Sequence, residues 1–142
     1  MNYFDTSALL PYYRPEPLSG TVQNLLLAVE NSVAISSLVD VEIASALTRL
    51  VRMGEFSDHD AASVHNAFAS DINKGCFQYL AVDSAAFRQA QQFLLERKSS
   101  LCTLDALHLA CAALADARLV TADRALADAA EVHGVSVLLL QH

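Results

Sequence analysis

The sequence has few features of a membrane or secreted protein. No apolar run approaches the roughly 18 residues that a membrane-spanning helix needs, and no basic segment precedes an apolar stretch near Met1. We therefore expect neither membrane insertion nor a secretory signal. The cysteines are Cys76, Cys102 and Cys111, an odd number without a C-x-x-C pair. This pattern favours free, buried thiols in a reducing cytoplasm.

Basic residues are also scarce. Nine Lys and Arg face 16 Asp and Glu, which gives a formal net charge of −7. Such a charge argues against a protein that coats nucleic acid by charge alone, because that binding depends on neutralising phosphates. It leaves room for an enzyme that holds nucleic acid through a bound cation. The 142 residues are 54% hydrophobic, which suits one domain with a sizeable core.

Short apolar segments alternate with helical patterns along the whole chain. Strands are predicted over 2–5, 33–36, 77–82, 118–121 and 135–140, and helices over 6–11, 18–30, 38–53, 57–73, 84–98, 103–115 and 123–133. Strands of this kind, separated by helices, are typical of a parallel sheet covered on both faces. We predict a single domain over residues 1–142, a three-layer α/β/α sandwich with about five parallel strands. Ligands of such sheets bind beyond the carboxyl ends of the strands.

The first predicted strand ends at an acid, Asp5, within MNYFDTSALL. A carboxylate beside buried apolar residues is costly unless a helix N-terminus, a basic partner or a metal ion compensates its charge. Three further acids are predicted at the same edge of the sheet. Glu42 lies one turn into the helix after the second strand, Asp105 in the first turn of an apolar helix, and Asp123 directly after the fourth strand.

Each of these acids also has an ordinary structural explanation. Glu42 could pair with Arg49 or Arg52 at the surface, Asp105 suits the helix dipole, and Asp123 could cap the next helix. Taken together, however, the four carboxylates at one edge would repel one another. A hard divalent cation with oxygen ligands, Mg²⁺ or Mn²⁺, removes that conflict. The set therefore favours a metal site.

Two neighbours of these acids receive a different interpretation. Asp40 is predicted to close a capping box with Ser37, which leaves Glu42 as the candidate ligand on that helix. His108 lies three residues after Asp105 and therefore on the same helix face. A hydrogen-bonded histidine near the site is favoured over a metal ligand, because Mg²⁺ prefers oxygen.

Four blocks of sequence carry these acids in order: MNYFDTSALL, SSLVDVEIASALTR, TLDALHLACA and LVTADRALADAA. Their order and spacing resemble the PIN-domain family, and most closely its VapC-type toxins of bacterial toxin–antitoxin pairs, over essentially the whole chain. The resemblance implies a Mg²⁺- or Mn²⁺-dependent endoribonuclease with its acidic motif positions at Asp5, Glu42, Asp105 and Asp123. It also implies a homodimer that a small antitoxin inhibits. We expect the antitoxin's tail to dock on the apolar faces of helices 18–30 and 38–53.

The implied reaction is hydrolysis of an RNA phosphodiester by metal-activated water. Asp5 and Asp105 would be the main direct ligands, while Glu42 and Asp123 would bind through water, orient the nucleophile or take its proton. Three other functions stay open. A haloacid-dehalogenase-type phosphatase would need a second Asp where Ser7 stands. A catalytically silent PIN-like module would only bind a protein partner, and a metal-dependent nuclease of the same fold would act on DNA.

Overall fold

Five strands form one parallel sheet in the computed structural model, which describes residues 1–28 and 32–141. They are β1 (Asn2–Phe4), β2 (Val33–Ser36), β3 (Gln78–Leu80), β4 (Arg118–Thr121) and β5 (Val137–Leu139). Their order across the sheet is β3-β2-β1-β4-β5. The chain adds β2 and β3 on one side of β1 and then crosses to the other side of β1, where it adds β4 and β5. In parallel sheets such a switch point opens a crevice at the carboxyl ends of the two strands.

Helices cover both faces of the sheet. They are α1 (Thr6–Tyr13), α2 (Ser19–Leu27), α3 (Ser37–Arg52), α4 (Asp58–Asn73), α5 (Ser84–Glu96), α6 (Thr103–Leu114) and α7 (Arg124–Val132). Helices α1 to α4 pack on one face, and α5 to α7 pack on the other. The predicted three-layer sandwich with a five-stranded parallel sheet is therefore confirmed. None of the described helices is long and apolar enough to cross a membrane.

Neighbouring residues of the central strands supply the two halves of the core. Tyr3 and Leu119 point towards α5 and α6, whereas Phe4 and Val120 point towards α1 to α4. All four side chains are fully buried. Side chains alternate along a strand, so a sheet covered on both faces requires apolar residues at successive positions. The short, uniformly apolar runs of the sequence have this physical origin.

Several predicted boundaries need correction. Helix α1 continues through Pro11 to Tyr13, two residues beyond the predicted end at residue 11. The helix predicted over 18–30 ends at Leu27, and its last two predicted residues lie outside the described ones. The cysteines are free, but only Cys111 is buried, whereas Cys76 and Cys102 are exposed.

The capping box predicted for the start of α3 is wrong. Ser36, not Ser37, caps the helix, and its hydroxyl accepts a hydrogen bond from the Leu38 N–H at 3.3 Å. Asp40 does not reach back to the helix start; its carboxylate accepts a hydrogen bond from the Tyr79 hydroxyl. Asp40 is thus tied to β3 at the edge of the sheet.

A tyrosine of α1 ties the first helix to α4. The Tyr13 hydroxyl donates to Asp71 Oδ2 at 2.7 Å, and its ring meets Phe68 edge to face at 5.6 Å. We expect Tyr13→Phe to lower the free energy of unfolding by about 1.5–3 kcal/mol, because the ring stays while the bond to a charged acceptor is lost. Urea denaturation measures the change. Tyr12→Phe is the matched control, since Tyr12 is exposed, and an equal loss in both variants would contradict this assignment.

Candidate active site

Asp5 lies at the carboxyl end of β1 and caps α1. Its Oδ1 accepts hydrogen bonds from the Ala8 N–H at 3.0 Å and the Ser7 hydroxyl at 2.7 Å, and its Oδ2 accepts one from the Thr121 hydroxyl at 2.6 Å. The residue is only 5% exposed. Burial raises the pKa of the Asp5 carboxyl, and the hydroxyls of Thr121 and Ser7 act in the opposite direction. Of the three compensations considered from the sequence, the structure displays the helix N-terminus, supported by neutral hydroxyls.

Glu42 faces α1 and α6 from the second turn of α3. The Thr6 hydroxyl donates to Glu42 Oε1 at 2.8 Å, and His108 Nε2 contacts the same oxygen. Burial acts to raise the pKa of Glu42, but its contacts with His108 and the Thr6 hydroxyl outweigh that effect and hold the pKa below its usual range. The alternative considered for Glu42, a surface pair with Arg49 or Arg52, is wrong, because Glu42 contacts His108 instead.

His108 is buried and both of its ring nitrogens have protein partners. Nε2 contacts Glu42, and Nδ1 lies 2.7 Å from the Tyr3 hydroxyl, which in turn lies 2.7 Å from Ser36 Oγ. The interpretation of His108 as a hydrogen-bonded histidine near the site is therefore confirmed. The roles of Tyr3 and Ser36 were missed from the sequence. The available signal was a tyrosine in a buried strand, because a buried hydroxyl needs a hydrogen-bond partner.

Asp123 caps α7 and connects to Asp5 through one threonine. Its Oδ1 accepts hydrogen bonds from the Ala125 N–H at 2.9 Å and the Leu126 N–H at 3.3 Å. Its own N–H donates to Thr121 Oγ1 at 3.0 Å, and the Thr121 hydroxyl contacts Asp5. The capping role considered for Asp123 is confirmed, and the residue lies beside Asp5 as well.

Asp105 lies in the first turn of α6, one turn before His108. Its Oδ2 accepts a hydrogen bond from the Cys102 thiol at 2.9 Å. The hydrogen-bonded network reaches Asp5, Glu42 and Asp123 through Thr6, which follows Asp5, and through Thr121. Asp105 shares no hydrogen bond with this network; its link to it is its position one helical turn before His108 in α6.

The oxygen donors of the site suit a hard cation in their chemistry. Glu42 Oε2, Asp105 Oδ1 and Asp123 Oδ2 accept no hydrogen bond from any described residue, so each offers a free oxygen. Carboxylate oxygens are the ligands that Mg²⁺ and Mn²⁺ prefer. Within residues 1–28 and 32–141, however, no three His, Cys, Asp or Glu side chains form a group that could hold a metal ion. These carboxylates are therefore chemically suited to Mg²⁺ or Mn²⁺, although their side chains do not form a complete metal-binding group.

The fold and this edge define a class: a parallel α/β protein with an acidic, hydroxyl-supported site at the switch point between β1 and β4. The family model of the PIN domain matches residues 3–132. The chain therefore belongs to the PIN-domain family, as the sequence blocks indicated. No curated protein matches it in sequence.

Solved structures of toxin–antitoxin proteins share the fold. VapBC2 from Rickettsia felis, bound to a DNA fragment from its promoter, is 18% identical over 99% of this chain and 100% of that one, with a TM-score of 0.73. FitAcB from Neisseria gonorrhoeae is 18% identical over 97% and 96%, with a TM-score of 0.70. VapC20 from Mycobacterium tuberculosis, a toxin that cleaves the sarcin–ricin loop, is 17% identical over 91% and 95%, with a TM-score of 0.67. At these identities the likeness establishes a common fold.

Proposed function

We propose that this protein is a Mg²⁺- or Mn²⁺-dependent endoribonuclease that acts as the toxin of a toxin–antitoxin pair. The observation that carries the proposal lies at the switch point of a PIN domain. There Thr121 hydrogen-bonds both the Asp5 carboxylate and the Asp123 N–H, and Thr6, next to Asp5, donates to Glu42. The fold supplies the crevice, and the acids supply its chemistry. All four predicted acids are present, which speaks against a catalytically silent binding module.

The metal would be held by Asp5 and Asp105, with Glu42 and Asp123 bound to it through water. When bound, it would polarise a phosphodiester and lower the pKa of the attacking water. Glu42 is suited to orient that water, because its lowered pKa keeps the carboxylate ionised and its Oε2 accepts no hydrogen bond from a described residue. Attack by water predicts 5′-phosphate and 3′-hydroxyl products.

Thr121 and Ser7 would hold Asp5 in one orientation. Their hydroxyls donate to different oxygens of the Asp5 carboxylate, while Ser7 Oγ also accepts the Ala122 N–H at 2.9 Å. The carboxylate is thereby fixed against both β4 and the start of α1. A ligand whose rotamer is locked in this way loses little entropy when a cation binds.

Single-stranded or looped RNA is the proposed substrate. The net charge of −7 leaves little room for a broad basic surface that would bind a duplex, and single strands are recognised mainly through exposed bases. One protein of the same fold, VapC20, is a toxin that cleaves an RNA loop. A DNA substrate is the second candidate within this chemistry.

An antitoxin tail is the proposed protein partner, in a homodimeric, cytoplasmic complex. The comparison structures include VapBC and FitAcB complexes. The apolar face of α3 expected to receive this tail is already packed in the core at Val39, Ile43 and Leu47. A groove of about 420 Å³ between α3 and α4 remains open, and we place the tail there. A short open reading frame beside the gene, ending in an amphipathic segment, would support the toxin role.

Metal-dependent RNA cleavage is the decisive measurement. We expect purified protein to cut a single-stranded or looped RNA with Mg²⁺ or Mn²⁺, to stop with EDTA, and to recover when the metal is restored, because the carboxylates need a cation to bind a phosphate. Gel analysis of end-labelled RNA follows the reaction. Parallel reactions contain single-stranded DNA and a phosphomonoester.

The parallel substrates separate the alternatives. Cleavage of DNA with intact RNA would favour the DNA nuclease, and release of phosphate from the monoester alone would favour the phosphatase. Absence of all three activities, in protein freed of any partner, would favour the silent module. Cleavage of RNA that persists in EDTA would contradict the metal role.

A further inference from the structure

A chain of buried hydrogen bonds runs from β2 through the core to Glu42. Ser36 Oγ accepts the Leu38 N–H at 3.3 Å and lies 2.7 Å from the Tyr3 hydroxyl, which lies 2.7 Å from His108 Nδ1. His108 Nε2 then contacts Glu42 Oε1. Tyr3 and Ser36 have no exposed surface, and His108 is 2% exposed. Water therefore does not supply these contacts, and the protein has to satisfy each of them internally.

One arrangement of the hydrogens satisfies all of these contacts. An ionised Glu42 only accepts, so His108 Nε2 carries a hydrogen and donates it. With that hydrogen on Nε2, Nδ1 is free to accept from the Tyr3 O–H. The Ser36 O–H then donates to the Tyr3 oxygen, while Ser36 Oγ accepts from the Leu38 N–H. Every donor in the chain has one acceptor, so this arrangement leaves no buried group unpaired.

The chain of hydrogen bonds ends on only one oxygen of the Glu42 carboxylate. Thr6 and His108 both contact Oε1, from α1 and α6 respectively, and Oε2 has no partner among the described residues. Two donors on one oxygen fix the rotation of the carboxylate about its last bond. Its second oxygen is then presented in a single direction instead of sampling several.

We propose that His108 is a positioning residue, which fixes Glu42 through Oε1 and leaves Oε2 available to the cation or its water, while Tyr3 and Ser36 hold the imidazole in the Nε2–H tautomer. This inference rests on the proposed function, because it concerns the same site. His108 itself does not touch substrate, since both of its nitrogens are engaged by protein. Partners of this kind behind a metal ligand tune its affinity and orientation.

Three variants test the chain without removing a proposed ligand. His108→Leu keeps bulk but removes both nitrogens, His108→Gln keeps an N–H donor able to reach Glu42, and Tyr3→Phe removes only the hydroxyl. Calorimetry measures Mn²⁺ affinity without RNA, and steady-state RNA cleavage gives kcat and KM. Two-dimensional ¹H–¹⁵N spectra of the histidine rings in the wild-type protein identify the tautomer of His108. The control is His59→Leu, an exposed histidine on α4.

We expect the Nε2–H tautomer in the wild type, and a loss of about 10- to 100-fold in Mn²⁺ affinity or kcat for His108→Leu with KM for RNA little changed. His108→Gln should recover most of that loss, and Tyr3→Phe should lie between the wild type and His108→Leu. His59→Leu should match the wild type. Thermal melts identify any variant that fails to fold, in which case Tyr3→Phe and the spectra carry the test.

Three outcomes overturn the inference and are distinguishable from one another. A Nδ1–H tautomer of His108 contradicts the proposed arrangement of hydrogen bonds, whatever activity is measured. Wild-type affinity and kcat in folded His108→Leu show that Glu42 needs no positioning, while the proposed function stands. A wild-type protein that binds no Mn²⁺ and cuts no RNA rejects the proposed function, and this inference with it.

Discussion

Replacement of Asp5 by Asn is expected to abolish RNA cleavage while leaving the fold intact. The amide keeps the shape of the carboxylate and an oxygen that can accept from the Ala8 N–H and the Ser7 hydroxyl. It removes the charge that the proposed cation requires, so we expect kcat to fall by about 10³-fold, the upper end for loss of a single stabilising group. The cleavage assay described for the wild type measures this loss.

The stability of the Asp5→Asn variant is expected to equal or exceed that of the wild type in EDTA. Burial raises the pKa of Asp5 in the folded state. Folding therefore favours the protonated carboxyl. Stability is lost as the pH rises from the pKa of Asp in the unfolded chain, about 3.9, through the raised pKa of Asp5 in the folded protein. A neutral amide removes that cost at pH 7. Thermal unfolding at pH 7 in EDTA measures it.

Asp83→Asn is the matched control for Asp5→Asn. Asp83 also caps a helix after a strand, with its Oδ1 accepting the Ala86 N–H at 3.1 Å, and it is exposed and outside the proposed site. The control separates loss of a charged cap from loss of a ligand. Wild-type cleavage by Asp5→Asn would reject the assignment of Asp5, and equal losses in both variants would assign the effect to capping.

The sheet could be predicted because its signals are local. A buried strand such as Val33–Ser36 is apolar at successive positions, and the helical stripes between strands dictate parallel crossovers. Since all strands run parallel, the residues that follow them lie at one edge of the sheet, whatever the order of the strands. This is why Asp5 and Asp123 were placed together, and the pairing of Phe4 with Val120 accounts for their closeness.

Helix starts were harder to predict because several adjacent residues can cap. Asp5, Thr6 and Ser7 are all good capping residues. The choice falls on Asp5 because its N–H donates to the Val120 carbonyl at 3.2 Å, which keeps its backbone extended alongside β4. Ser36 likewise caps α3 in place of Ser37, because Ser36 still belongs to β2. In both cases a tertiary contact of the sheet decides what the local sequence leaves open.

The contact partners of the acids could not be predicted from local sequence patterns. Arg49 is seven residues beyond Glu42, about 10 Å along the helix axis, and therefore lies outside the reach of a three- or four-residue pair. His108, which is 66 residues away in sequence, contacts Glu42 instead. No local pattern encodes such a pair. The same holds for Tyr3 and His108, separated by 105 residues.

Thr121→Val is expected to weaken both the fold and the site, because one hydroxyl serves two of the acids. Thr121 Oγ1 donates to Asp5 Oδ2 at 2.6 Å and accepts the Asp123 N–H at 3.0 Å, with no exposed surface. Valine keeps the volume and leaves both partners without this hydrogen bond. We expect the free energy of unfolding to fall by about 1–3 kcal/mol, and kcat by about 10- to 100-fold. Urea denaturation and the cleavage assay measure the two effects.

A second variant and a double mutant identify the cause. Thr48→Val is the matched control, because Thr48 is exposed and its hydroxyl donates only to the Ala44 carbonyl of its own helix, at 2.8 Å. Thr121→Val should cost less stability in the Asp5→Asn background than in the wild type, because part of its effect is the loss of a charge-assisted bond. Equal costs in the two backgrounds would mean that Thr121 contributes through packing and through Asp123 alone. The hydroxyl would then have no part in holding Asp5, and the orientation of that carboxylate would depend on Ser7 and the start of α1.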